Sequence, residues 1–157
     1  MKTITLSIYI ALFNIIAISA QQQKEIARFH VTHAIHNGDD ITEWAVNRKV
    51  FTVFYTIEDK PYMANVSGAN DEQSWGRIWG FKNETIKETS TEYKADIFYF
   101  NWDYLNSYDT KNGTCKVQFL KVYKPQGIVS KLKLITESLD VTEYTGYMDG
   151  SIDFSNF

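Results

Sequence analysis

From Arg28 to Met148 the chain repeats one pattern: a short run rich in β-branched and aromatic residues, then a polar break built from Gly, Asn, Asp or Pro. Such runs suit the pleated, half-buried surface of a strand, and the breaks carry the residues that tight turns need. The pattern predicts an all-β chain of about eight strands. They are expected near Arg28–His36, Lys49–Glu58, Tyr62–Ser67, Ser74–Phe81, Glu92–Trp102, Thr114–Lys124, Ile128–Glu137 and Val141–Met148. Turns are expected at Asn37-Gly38, Asp59-Lys60-Pro61, Gly68-Ala69-Asn70-Asp71, Lys82-Asn83-Glu84, Asn112-Gly113, Pro125-Gln126-Gly127 and Asp149-Gly150. One short helix is expected over Ile41–Arg48 after the first strand, opened by a capping box of Asp40 and Glu43. A second short turn is expected at Tyr104–Tyr108, where alternation stops.

What holds such a chain together must be packing. The single cysteine, Cys115, excludes an intrachain disulfide and a cysteine-rich zinc site. With 10 Phe, 10 Tyr and 4 Trp against 8 Gly and 2 Pro, the composition is that of a folding chain rather than a disordered one. Residues 1–20 read as a secretory signal: Lys2, an apolar stretch from Ile4 to Ile18, and the small residues Ser19 and Ala20 before Gln21. No cysteine follows the expected cut to carry a lipid, so a soluble exported product is expected, periplasmic or secreted. Residues 21–157 then form a single domain. That domain carries 15 basic and 19 acidic residues, a net charge of −4, which argues against a nucleic-acid footprint.

Eight short antiparallel strands can close into an up-and-down barrel or stack as two sheets, and closure alone removes the exposed edges. The segment Asn37-Gly38-Asp39-Asp40-Ile41-Thr42 followed by Val50-Phe51-Thr52-Val53-Phe54 resembles exported bacterial lipocalin-like barrels. In these a first strand, a tight turn, a short capped segment and an aromatic second strand follow in order. The resemblance spans about twenty residues and lacks the Gly-x-Trp signature of true lipocalins. The leader followed by Gln21-Gln22-Gln23 also resembles exported flavobacterial proteins in style. A membrane barrel is disfavoured, because Lys116, Gln118, Lys131 and Lys133 put polar side chains along one face of successive strands.

Few residues invite chemistry. His30, His33 and His36 lie close in sequence, but on a strand His33 faces away from the other two, which stand about 20 Å apart at ~3.3 Å per residue. No metal site or other cofactor site is expected. Cys115 alternates with Val117 and Phe119 as a core thiol would, and no nucleophile elbow, phosphate loop or paired-histidine metal motif is present. Asn65, Asn83 and Asn112 begin formal Asn-x-Ser/Thr acceptors, a number near chance.

The most informative segment is Ser74–Phe81. Trp75, Arg77, Trp79 and Phe81 are expected on one strand face, with Gly76, Ile78 and Gly80 on the other. In a barrel mouth, Arg77 would hold an anionic head group while the Trp rings enclose an apolar body, with Tyr55 and Phe98 completing the lining. The sequence thus leads to a non-enzymatic, exported binding module for a small apolar or amphipathic ligand. The alternative is an envelope protein-interaction module, of inhibitor or immunity type, that presents an aromatic and acidic surface to a basic partner. The two differ in one observable: rings around an enclosed cavity serve the first, rings on an open face the second.

Overall fold

The computed structural model describes residues 23–89 and 93–153; the expected leader, residues 1–20, lies outside the described residues. In chain order the elements are β1 (Gln23–His36), β2 (Asp39–Asp40), α1 (Thr42–Asn47), β3 (Val50–Ile57), β4 (Lys60–Ser67), β5 (Glu72–Ile86), β6 (Ala95–Asn106), β7 (Asn112–Lys124), β8 (Gly127–Ile135) and β9 (Val141–Gly150). Apart from the two-residue β2, each strand pairs antiparallel with the next, and β9 returns to pair with β1, closing an eight-stranded up-and-down barrel. β2 folds back on the end of β1 through Asn37-Gly38, both at positive φ. The expected barrel with a short helix after its first strand is the one observed.

Several local expectations fail: the turns expected at Asn112-Gly113 and Asp149-Gly150 are strand, paired in β7 and β9, and three further expectations fail for identifiable reasons. α1 starts at Thr42 with Ile41 as its N-cap, and no side chain caps it. Asp40 belongs to β2, so its carboxylate accepts from the Thr42 amide at 2.8 Å instead of closing a capping box. The turn expected at Lys82-Asn83-Glu84 is strand: β5 runs on to Ile86 after a bulge between Trp79 and Lys82. There Gly80 takes φ +72°, a left-handed conformation that glycine adopts without strain. The bulge moves Phe81 off the face of Trp79 and into the core, where its ring meets Phe100 at 5.4 Å. Finally, the helical turn expected at Tyr104–Tyr108 is replaced by ladder. Tyr104 pairs with Gly113 and Leu105 with Asn112, so the chain reverses over residues 107–111.

The inward face of every strand converges on one aromatic core. Phe29, Phe54 and Phe119 are fully buried, with Phe119 edge-on to both partners at 6.1 Å. Met63, Ile78, Trp102 and Leu132 pack around them. Trp102 on β6 donates its indole N–H to the Met63 carbonyl on β4, 3.1 Å away and two strands over. Gly76, the β5 partner of Met63, adds no side chain in the way. A Cβ at Gly76 would collide with the Asp103 carbonyl, and one at Gly146 with the His30 carbonyl. These glycines sit on β5 and β9, four strands apart around the barrel, where close backbone approach lets the sheet curl.

The two ends close differently. At one, α1 lies across the opening with Ala45 buried and Ile41 against the core. At the other, Asp96 accepts from Tyr123 Oη at 2.6 Å and Thr85 Oγ1 at 2.8 Å, while the Lys121 ammonium stands over the Phe98 and Phe119 rings.

Candidate functional site

Residues directly opposite each other in a sheet share a face, so the registers define what the outside of the barrel presents. One outward row runs Arg28–Val53–Ala64–Trp75–Leu105 across β1, β3, β4, β5 and β6. The row below it runs Glu25–Tyr55–Tyr62–Arg77, and the row above it His30–Phe51–Val66–Gln73. The outer wall of β3–β5 is therefore apolar and aromatic at its centre.

Trp75 and Trp79 remain 37% and 44% exposed there, and Arg77 between them is exposed too. Two shallow grooves flank Trp75. One, about 400 Å³, is lined by Val53, Tyr55, Ile57, Ala64 and Val66; the other, about 440 Å³, by Tyr62, Arg77, Asp103, Leu105 and Thr114. Tyr55 stacks on Tyr62 at 5.6 Å and is only 5% exposed. Burial, and then the neighbouring Tyr62, push its phenol up to about 12, so it stays neutral.

The charges on this wall are arranged unevenly. Asp103 is held by two neutral donors and keeps its charge: one carboxylate oxygen accepts from Trp79 Nε1 at 2.9 Å and the other from Thr114 Oγ1 at 2.9 Å. Glu25 is spent on Arg28, in a two-pronged pair of 2.9 and 3.1 Å. Arg77 has no ion pair among the described residues. Arg77 falls between Trp75 and Trp79 along the same strand face and is exposed to solvent.

The site residues expected from sequence thus separate. Trp75, Arg77 and Trp79 do share a face, but it is the outer one, not the lining of a mouth. Tyr55 joins them on the outside. Phe98 points inward at the far end, stacked on Phe119 at 6.4 Å beneath Lys121. The reason is strand parity: Ser74, Gly76 and Ile78 supply the inner side of β5, so their bulky neighbours must face out.

Elsewhere the expected inert groups are accounted for. Cys115 is buried, and burial followed by the Glu137 charge pushes its thiol up to about 11, far from a reactive thiolate. Each histidine has its own neighbour: His30 near Asp149 at 2.7 Å, His33 near Thr42 at 2.7 Å, His36 near Thr142 at 2.9 Å. No group of three metal-ligating side chains occurs among the described residues.

The helix end holds a feature the sequence reading missed. Beside α1, Trp44, Arg48, Asn65, Glu72, Tyr108 and Tyr144 line a cleft of about 140 Å³. Arg48 stands 5.2 Å over the Trp44 ring and 3.3 Å from Glu72. The i, i+4 spacing of Trp44 and Arg48 on an expected helix was the available signal. Compared with known proteins, the chain matches no family model, no curated protein and no solved structure.

Proposed function

We propose that this chain is an exported, non-enzymatic interaction module that holds a protein partner on the outer wall of β3–β5. One observation carries the reading: Trp75 and Trp79 stand on an open outer face while aromatic side chains fill the interior. Interfaces concentrate their binding energy in Trp, Tyr and Arg, which are the side chains gathered here as Trp75, Trp79, Tyr62 and Arg77. The partner supplies aliphatic or aromatic side chains for the two grooves and a carboxylate for Arg77. Arg77 stands exposed on this wall with no ion pair among the described residues, and a carboxylate on the partner would complement it. A small apolar ligand among the same rings is the weaker reading, because they enclose no space. Export rests on the leader-like residues 1–20.

The test is site-specific photo-crosslinking in the cells the protein comes from, with p-benzoyl-phenylalanine replacing Trp75 or, as a control on the opposite wall, Lys131. The expected result is one adduct of defined mass from position 75, none from 131, and loss of that adduct on adding Arg77→Glu. Equal adducts from both positions, no adduct, or crosslinking only to a second copy of the chain would overturn the proposal.

A further inference from the structure

The β4–β5 ladder stops well before β5 does. It runs from Ser67 opposite Glu72 to Tyr62 opposite Arg77, and β4 then reaches only Pro61 and Lys60 before the turn at Glu58 and Asp59, both at positive φ. Pro61 has no amide hydrogen with which to extend a ladder. β5 continues past its bulge to Ile86, and Lys82–Ile86 pair with Tyr99 to Ala95 of β6. Among the described residues no strand pairs with the other edge of Lys82–Ile86. All five residues are exposed. A regular strand edge of this kind is a template for a further strand.

The side chains along the edge specify which strand it suits. Lys82 and Glu84 lie two residues apart on the outward face, opposite Tyr99 and Ile97 of β6. Glu84 accepts from Tyr99 Oη at 3.4 Å, and neither charge has an ion pair among the described residues. A lone lysine on an edge repels a copy of itself. Lysine and glutamate two apart do the reverse: when two such strands run antiparallel about the intervening Asn83, each Lys82 stands directly opposite the other copy's Glu84. Centring the pair on Lys82 or on Glu84 instead would set like charges face to face.

We propose that two copies of this chain associate through the open edge of β5, antiparallel and two-fold symmetric about Asn83, with reciprocal Lys82–Glu84 ion pairs. Such a contact is self-complementary and closes at two copies. So short a ladder buries less than a standard interface, which makes the association weak and reversible.

Sedimentation velocity from micromolar towards millimolar concentration should show a concentration-dependent dimer. Lys82→Glu and Glu84→Lys, both at exposed positions, each turn two attractive pairs into repulsive ones and should weaken it roughly 10-fold or more. An equimolar mixture of the two variants again sets Lys against Glu at both positions, and should dimerise as the unsubstituted protein does. Asn83→Cys places opposite Cα atoms about 4.5–5.5 Å apart, within disulfide reach, and should cross-link on mild oxidation. Thr85→Cys, about 13 Å from its counterpart at ~3.3 Å per residue, should not. A monomer at every concentration, a dimer indifferent to both charge reversals, a mixture that stays monomeric, or equal cross-linking at positions 83 and 85 would overturn the proposal. Slow hydrogen exchange at every amide from Lys82 to Ile86 in the monomer would overturn it too, because pairing with β6 alone protects only alternate amides and the chain itself would then cover the edge. The charge reversals leave Trp75, Arg77 and Trp79 in place, so this contact and that of the wall fail separately.

Discussion

The barrel has two contrasting walls built on the same interior. On β3–β5 the outward side chains include Val53, Tyr55, Ile57, Tyr62, Ala64, Val66 and Trp75. On β7–β9 charged and polar side chains, Lys116, Gln118, Lys131, Lys133 and Glu143, are interspersed with the outward Leu120, Val122, Val129 and Ile135, and Lys133 and Glu143 pair across strands at 2.7 Å. The inner faces of both walls are mainly apolar, from Phe54 and Met63 on one side to Val117, Phe119, Leu132 and Leu134 on the other. The outer difference is not explained by the core, and the apolar wall is the ground on which a contact surface is proposed there.

Substitutions should separate what the walls share from what divides them. The largest effect is expected in the common core: Phe119→Ala removes the ring that meets Phe29, Phe54 and Phe98, and should cost about 3–5 kcal/mol in urea unfolding. Next comes Gly76→Ala, which drives a methyl group into the Asp103 carbonyl beneath the aromatic wall. A loss of about 1–3 kcal/mol is expected, with the charged wall's amide signals undisturbed. Converting the aromatic wall to the character of its opposite with Val53→Lys and Val66→Lys should change stability by less than about 1 kcal/mol yet abolish the position-75 adduct. If that pair unfolds the protein, the apolar wall is serving the fold and the comparison fails.

The smallest effect concerns neither wall. At the far end, the Tyr123 hydrogen bond, opposed by burial and aided by Thr85 and then Lys94 and Lys121, holds the Asp96 carboxyl below the usual aspartate range. Its contribution to stability is complete above the ordinary aspartate pKa of about 3.9 and disappears as pH falls through the lower folded value. Tyr123→Phe should flatten this acid-side slope in denaturation curves recorded at successive pH values. An unchanged slope would show that Asp96 does not contribute it.

Much of this architecture was legible in the sequence because strand physics is local. Alternation of Cys115, Val117 and Phe119 named one inward face directly, and Asn37-Gly38 marked its turn. What was not legible depended on neighbours. The partners of Tyr104 and Leu105 extended β6 where the chain alone suggested a helical turn. The bulge at Gly80 moved Phe81 inward, although its sequence spacing grouped it with Trp79. Above all, parity groups Trp75, Arg77 and Trp79 on one face without saying which side that face takes. With Gly76 and Gly80 bare on the other side, the Trp face suggested the lining of a mouth, whereas pairing with β4 and β6 turns Gly76 and Ile78 inward. The cleft beside α1 joins residues from distant parts of the chain, from Trp44 to Tyr144, and no spacing rule connects them.

The most direct test of the aromatic wall as a contact surface is residue-resolved hydroxyl-radical footprinting of the four tryptophans, first on the isolated protein and then with the crosslink-identified partner bound. Fast oxidation of Trp75 and Trp79, slow oxidation of Trp102, and selective protection of Trp75 and Trp79 on complex formation, with Trp44 unaltered, is the predicted result. Unchanged oxidation of Trp75 and Trp79 in the complex, or slow oxidation of both before the partner is added, would contradict it.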